Sequence, residues 1–310
     1  MARPGTPHDP PPGEVPRGWG RVVAGLLGLL GRLPLSWAHA LGAGLGDLVF
    51  LLDRGRTRRT IDTNLALCFP ELEPAARRRL ARQTLRETGK ALLELGAIWG
   101  WSGDRLRRCF VATEGVELLA EGRRRGRGVL IAAPHLGCWE MTSHYALLHG
   151  YPLTALYRPP RQRALAPLIR ARRQRLGATL VPTDAGGIKA LLRALQRGEC
   201  VGILPDQDAG RDGVMAPFFG TPAATMPLFA RLARRSGATL LLAYAERLVG
   251  GRYRLHLRPL PEAVRAADPL AAATALNRAV EACVREVPAQ YQWTYRRFKT
   301  RAAGAPPRYR

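Results

Sequence analysis

Apolar residues along this chain fall into two textures that meet near residue 101. The first part is helical in pattern. Val22 to Gly31 is an apolar, glycine-rich run, Arg32 and Pro34 break it, and Leu35 to Leu52 follows with no arginine or lysine but with His39 and Asp47. Crossing a bilayer takes about 20 predominantly apolar residues, so neither run is a strong span. Together they predict one imperfect span or a helical pair lying in the interface, the alternative being a buried glycine-rich hairpin. From Pro74 to about Trp101, Leu80, Leu85, Leu92, Leu95 and Trp99 recur on one side with arginines opposite, which predicts one long helix.

Beyond Trp101 short apolar runs alternate with helical ones. Strands are predicted at 129–133, 153–157, 179–181, 201–204, 238–246 and 253–257, and helices at 138–149, 162–176, 186–197 and 227–236. Asp268-Pro269 supplies an N-cap and a first-turn proline for a last helix to about Val287. The alternation predicts an α/β fold: a mixed, largely parallel central sheet flanked by helices and ending in an antiparallel pair. Residues 1–18, rich in proline and glycine, read as a disordered tail. Residues 19–53 read as a membrane-associating helical segment, 54–302 as the α/β domain, and 303–310 as a C-terminal tail. In such sheets the site forms in loops beyond strand ends, where His135, Arg158, Asp184 and Asp206 fall.

Charge narrows the partners. The formal charge is +24, and with lysine only at positions 90, 189 and 299 almost all of it is arginine. The bland reading is a solvated compositional bias. The functional one is a polyanion: nucleic acid, an anionic leaflet, or an acidic carrier or phosphorylated substrate. Nucleic acid is disfavoured, because no zinc-finger spacing, RNP-like aromatic run or helix-turn-helix signature occurs. Arg54, Arg56, Arg58 and Arg59 directly follow the apolar segment, a placement retained on the cytoplasmic side of a membrane. No persuasive cleavage site marks a secretory signal. Cys68, Cys109, Cys138, Cys200 and Cys283 are scattered without CxxC spacing, which argues against a disulfide framework or zinc site and fits a reducing cytosol.

The chemistry concentrates at His135-Leu136-Gly137-Cys138-Trp139-Glu140, after the apolar run that ends at Pro134. A helix starting at or just after His135 would let the Glu140 carboxylate reach back to the imidazole, making a general base near neutral pH. Alone, H-x4-E is unspecific. A second cluster, Pro205-Asp206-Gln207-Asp208, puts two carboxylates beside a strand end. They can hold an arginine or histidine in place, or accept hydrogen bonds from substrate hydroxyls. A metal site would want further oxygen ligands, so no metal and no cofactor is expected. Phe218-Phe219 lines an acyl slot or plugs the core.

These segments occur in order with Thr63-Asn64-Leu65-Ala-Leu-Cys-Phe-Pro70, Tyr157-Arg158-Pro159, Pro217-Phe-Phe-Gly220 and Gln290-Tyr-Gln-Trp-Thr-Tyr-Arg-Arg-Phe-Lys299. The set resembles the bacterial lipid A late acyltransferases (lauroyl and myristoyl transferases), within the H-x4-D/E acyltransferase superfamily, over about residues 20–302. The resemblance implies acyl transfer from acyl carrier protein to a hydroxyl of a lipid A precursor at the cytoplasmic face of the inner membrane. It implies His135 as general base, with Glu140 orienting and charging it. Backbone N–H groups at Gly137 and Cys138 and the Arg158 side chain are candidate oxyanion donors. Arg173 and Asp206 match functional positions of the family, and arginine forks suit lipid A phosphates. The family usually carries asparagine at Cys138, which opens a rival in which Cys138 is an acylated nucleophile. A glycerolipid or ornithine-lipid acceptor, and a basic membrane scaffold, are the alternatives.

Overall fold

The computed structural model describes residues 18–53, 55–160, 162–301 and 307–309. The expected tail at 1–18, apart from Gly18, and most of the one at 303–310 lie outside these. In order the elements are α1 (Trp19–Leu30), α2 (Leu35–Leu52), α3 (Arg56–Cys68), α4 (Pro74–Leu93), α5 (Leu95–Gly100), α6 (Gly103–Arg107), β1 (Phe110–Glu114), α7 (Glu117–Arg124), β2 (Val129–Ala132), α8 (Trp139–Leu148), β3 (Leu153–Leu156), α9 (Ala166–Gln174), β4 (Thr179–Val181), α10 (Ala185–Gln196), β5 (Cys200–Ile203), β6 (Val214–Phe218), β7 (Thr221–Thr225), α11 (Leu228–Ser236), β8 (Thr239–Leu248), β9 (Arg252–Pro259) and α12 (Pro269–Glu286). Seven strands form one sheet in the order β1-β9-β8-β2-β5-β3-β4. From β8 to β4 all pairings are parallel; β9 runs antiparallel to β8, and β1 is parallel to β9. This is the mixed, largely parallel sheet that the sequence predicts, with helices on both faces. Every residue of β2 is buried, as a strand covered on both sides requires.

The helix expected from Pro74 to Trp101 is broken at Glu94, whose carboxylate is drawn into the core. It accepts two hydrogen bonds from Arg247 Nε (3.0 and 2.9 Å), one from Arg247 Nη2 (2.6 Å) and one from the Tyr253 hydroxyl (2.8 Å), and lies 2.9 Å from His39 Nε2. Burial opposes ionisation of Glu94, but Arg247 and His39 outweigh it and hold the carboxyl below its ordinary range.

The N-terminal pair is packed rather than free. Leu35, Ala38, His39, Gly42, Ala43 and Gly46 of α2 are buried. The backbones of α2 and α4 nearly touch: a Cβ on Gly89 would lie 1.9 Å from the Gly42 carbonyl oxygen. Asp47 pairs with Arg82 at 2.7 Å and with Arg86. The opposite face leaves Trp37, Leu41, Leu48 and Leu52 exposed, as Val22, Leu26 and Leu29 are on α1. Alone among the helices, α2 is long and apolar enough to cross a membrane, among the described residues.

Candidate active site

Adjacent parallel strands bring the two sequence clusters together. Ala132 of β2 pairs with Ile203 of β5, and Ala133 donates its N–H to the Ile203 carbonyl at 2.9 Å. His135 and Asp206 each lie three residues past their strand, and they meet. His135 Nδ1 is 2.8 Å from one Asp206 oxygen, and its backbone N–H donates to the other at 2.9 Å. The imidazole keeps 13% of its side chain exposed, Asp206 3%. Burial opposes ionisation of Asp206, yet the charge and hydrogen bonds of His135 win and hold the carboxyl below its ordinary value. An ionised acceptor at Nδ1 fixes the tautomer with its proton there and the lone pair on Nε2. Gln207 Nε2 sits 3.1 Å from that lone pair and donates to Gln292 Oε1, also at 3.1 Å.

Glu140 does not take the place expected of it. α8 begins at Trp139, because Gly137 turns the chain through the left-handed region (φ 58°) and pairs with Ala245 of β8. Glu140 is therefore the second residue of α8, and its side chain meets Arg173 at the end of α9, accepting from Nε at 2.8 Å and Nη2 at 2.5 Å. Asp206, not Glu140, orients the imidazole. Glu140 is buried, and Arg173 keeps a third of its side chain exposed. Burial disfavours the guanidinium's charge, but Glu140 more than restores it.

The expected backbone oxyanion donors are already engaged. Gly137 N–H donates to Gln290 O at 3.1 Å and Cys138 N–H to Ala245 O at 2.8 Å. A Cβ on Gly137 would stand 2.1 Å from the Ala245 oxygen, so glycine serves close approach there. Arg158 is exposed after β3, and among the described residues no hydrogen bond joins it to His135 or Glu140. Asp208 faces away from the site and anchors the C-terminal segment, accepting from Thr300 N at 2.9 Å and Thr300 Oγ1 at 2.8 Å. Asp184 caps α10 through Gly187 N–H. Phe218 and Phe219 plug the core. Cys138 is fully buried, and burial first, Glu94 second, pushes its thiol well above the ordinary value. No cluster of three metal-ligating side chains occurs among the described residues.

Sequence reasoning missed how the C-terminal motif works. Residues 290–300 form a strap across the His135 loop. Tyr291 bridges Leu136, Gln292 N–H donates to His135 O at 3.1 Å, and Asn64 holds the strap by donating to the Trp293 and Tyr295 carbonyls at 2.7 and 2.8 Å. Tyr309 donates its hydroxyl to Asn64 Oδ1 at 2.6 Å, so residues 307–309 are docked, not a free tail. A cavity of about 50 Å³ opens beside Gly137, Trp139 and Gln292. A larger cleft of about 510 Å³ lies at the other end of β8, bordered by Arg125, Arg127 and Arg265, remote from the paired acid and base.

A carboxylate-held histidine at the mouth of a parallel sheet, followed on the next helix by a buried glutamate paired with a half-buried arginine, has the chemistry to accept a proton from a hydroxyl in a group transfer. Residues 11–300 match the model of the bacterial lipid A biosynthesis acyltransferases. The lipid A biosynthesis lauroyltransferase of Escherichia coli (strain K12) is 33% identical over 92% of both chains, and the palmitoleoyltransferase of that strain is 32% identical over the same shares. Its myristoyltransferase is 26% identical over 93% of this chain and 90% of its own. The chain belongs to the lipid A biosynthesis acyltransferase family, and it is an acyltransferase.

Proposed function

We propose that the protein transfers a fatty acyl group from acyl carrier protein to a hydroxyl of a lipid A precursor, as a secondary acylation at the cytoplasmic face of the inner membrane. The His135–Asp206 contact, with Nε2 facing the site, carries this reading. The acceptor hydroxyl gives its proton to Nε2 as its oxygen attacks the thioester carbonyl. Asp206 stabilises the resulting imidazolium. The tetrahedral intermediate then expels the thiolate as the C–S bond breaks, and the proton on Nε2 passes to that sulfur. Glu140 acts at one remove, holding Arg173 in place; the guanidinium of this partly exposed side chain suits a phosphate of the acceptor. The excess of arginine suits both an acidic carrier and anionic lipid.

The reading places α1 and α2 along the membrane surface rather than across it. α2 is locked lengthwise to α4, whose Arg78, Arg79 and Arg82 are exposed. Crossing would carry those charges into hydrocarbon, where each costs several kcal/mol. Lying flat, the exposed apolar face of α2 enters the interface with the arginines of α4 nearby.

The test is mass spectrometry of lipid A from a host lacking this gene, restored with wild type or His135→Ala. Loss of one secondary acyl chain, returned only by wild type, establishes the reaction. Unchanged lipid A in a strain without a redundant enzyme redirects the search to ornithine-lipid and glycerolipid acceptors.

A further inference from the structure

Four consecutive N–H groups at the site are spent inside the protein. His135 donates to Asp206, Leu136 to Pro134 O at 2.7 Å, Gly137 to Gln290 O and Cys138 to Ala245 O. The loop that carries the base therefore offers no backbone cradle for an oxyanion, unlike the turns that usually build one. The donor that actually touches the reactive nitrogen is the side-chain amide of Gln207. One amide hydrogen goes to Gln292 Oε1, the other to the lone pair of His135 Nε2. The donor and acceptor roles are consistent throughout: ionised Asp206 accepts from Nδ1–H, Nε2 accepts from Gln207, and Gln292 accepts from Gln207.

We propose that Gln207 is the gate and the oxyanion donor of the acyl transfer, positioned by Gln292. In the resting enzyme its amide occupies the place the acceptor hydroxyl must take. The hydroxyl displaces it from Nε2. The amide stays anchored on Gln292, and its freed hydrogen donates to the carbonyl oxygen as negative charge builds there. The inference rests on the general-base reading of His135. The Gln292 side chain reaches the reaction only through Gln207, and the residue belongs to a strap that Asn64 fixes from α3.

The experiment measures steady-state transfer from an acyl–acyl carrier protein to a lipid A precursor with the full chain and the variants Gln207→Leu, Gln207→Glu and Gln292→Leu. Thermal melts establish that each is folded. Removing one oxyanion donor costs about 10²- to 10³-fold in kcat, and that loss is expected for Gln207→Leu and Gln207→Glu with little change in acceptor KM. Gln292→Leu loses less, because the amide remains but is no longer held. A merely structural role would lower the melting point of the Gln207 and Gln292 variants without this split of kcat from acceptor KM. If both Gln207 variants keep kcat within about threefold, or lose only KM, the proposal is wrong. His135→Ala separates the two levels. Full activity in that variant overturns the general-base reading, whereas an inactive His135→Ala beside fully active Gln207 variants overturns this inference alone.

Discussion

His135 and His39 touch a carboxylate at almost the same distance, 2.8 and 2.9 Å, yet the proposed mechanism uses only one of the pairs. Glu94, the partner of His39, is also clasped by Arg247 and Tyr253, and the whole group is buried. Asp206 engages His135 through both oxygens, and the far nitrogen of that ring meets a neutral amide that a hydroxyl can replace. The contrast shows that a histidine–carboxylate contact alone says little about chemistry. What matters is whether the second ring nitrogen faces a displaceable partner. The sealed network has its own task. Gln290 exchanges hydrogen bonds with the backbone of Arg247 and accepts from Gly137, so the Glu94 region lies directly behind the loop that carries His135.

The largest separation expected between the two pairs is in turnover. His135→Ala lowers kcat by about 10³-fold or more, and Asp206→Asn by about 10² to 10⁴, because the amide no longer fixes the tautomer or stabilises the imidazolium. His39→Gln leaves kcat per folded molecule within about threefold. Transfer assays on purified protein decide this, and a comparable loss in His39→Gln would erase the distinction.

Next comes stability, where the order reverses. Arg247→Met strands the buried Glu94 charge and should cost about 3–5 kcal/mol in a denaturant melt. The double variant Glu94→Gln with Arg247→Met recovers most of that, since no unpaired charge is left. His135→Ala costs far less. An unchanged midpoint in Arg247→Met would show that the network does not hold the fold.

A third histidine sharpens the comparison through pH. His144 on α8 is buried, and burial first among the causes pushes its imidazole down to about 4. Its native value lies below the unfolded one near 6.5. The unfolded chain therefore takes up a proton that the native protein refuses, and stability is complete above about pH 6.5 and falls as pH drops toward 4, by roughly 3 kcal/mol. His144→Phe flattens that slope in melts run between pH 7 and 4. A slope unchanged in the variant would assign the acid loss to other groups, such as Asp206.

Much of this was legible in advance, for physical reasons that also explain the failures. The parallel core strands are runs of apolar residues and announce themselves. β1 is a half-exposed edge strand, and β6 and β7 form a separate two-stranded hairpin carrying Pro217 and Pro222, so their composition reads as loop. The break at Glu94 depends on Arg247, 153 residues away, and no local pattern carries it. The misreading of Glu140 came from spacing. H-x4-E implies one helical turn only if the helix starts at the histidine, and the left-handed Gly137 delays it to Trp139. Asp206 was visible as a residue just past a strand, but its partner depended on β5 lying next to β2. Gln207 stood in the same motif, and its neighbour Asp206 was the signal that could have found it.

The smallest effect separates the general-base route from the covalent one. A cysteine nucleophile needs a thiolate and a line of approach. Cys138 has neither, since it is fully buried and its thiol is held far above the ordinary value by burial and by Glu94. Its backbone N–H, bonded to Ala245 O, is indifferent to the side chain. Cys138→Ala should therefore keep kcat within about threefold and lose only the packing of one small buried side chain, about 1 kcal/mol. Intact-mass measurement after incubation with acyl–acyl carrier protein and no acceptor should show no acylated wild-type protein. A stable acyl adduct absent from Cys138→Ala, together with near-total loss of transfer in that folded variant, would instead make His135 the base for a thiol that must first be unburied.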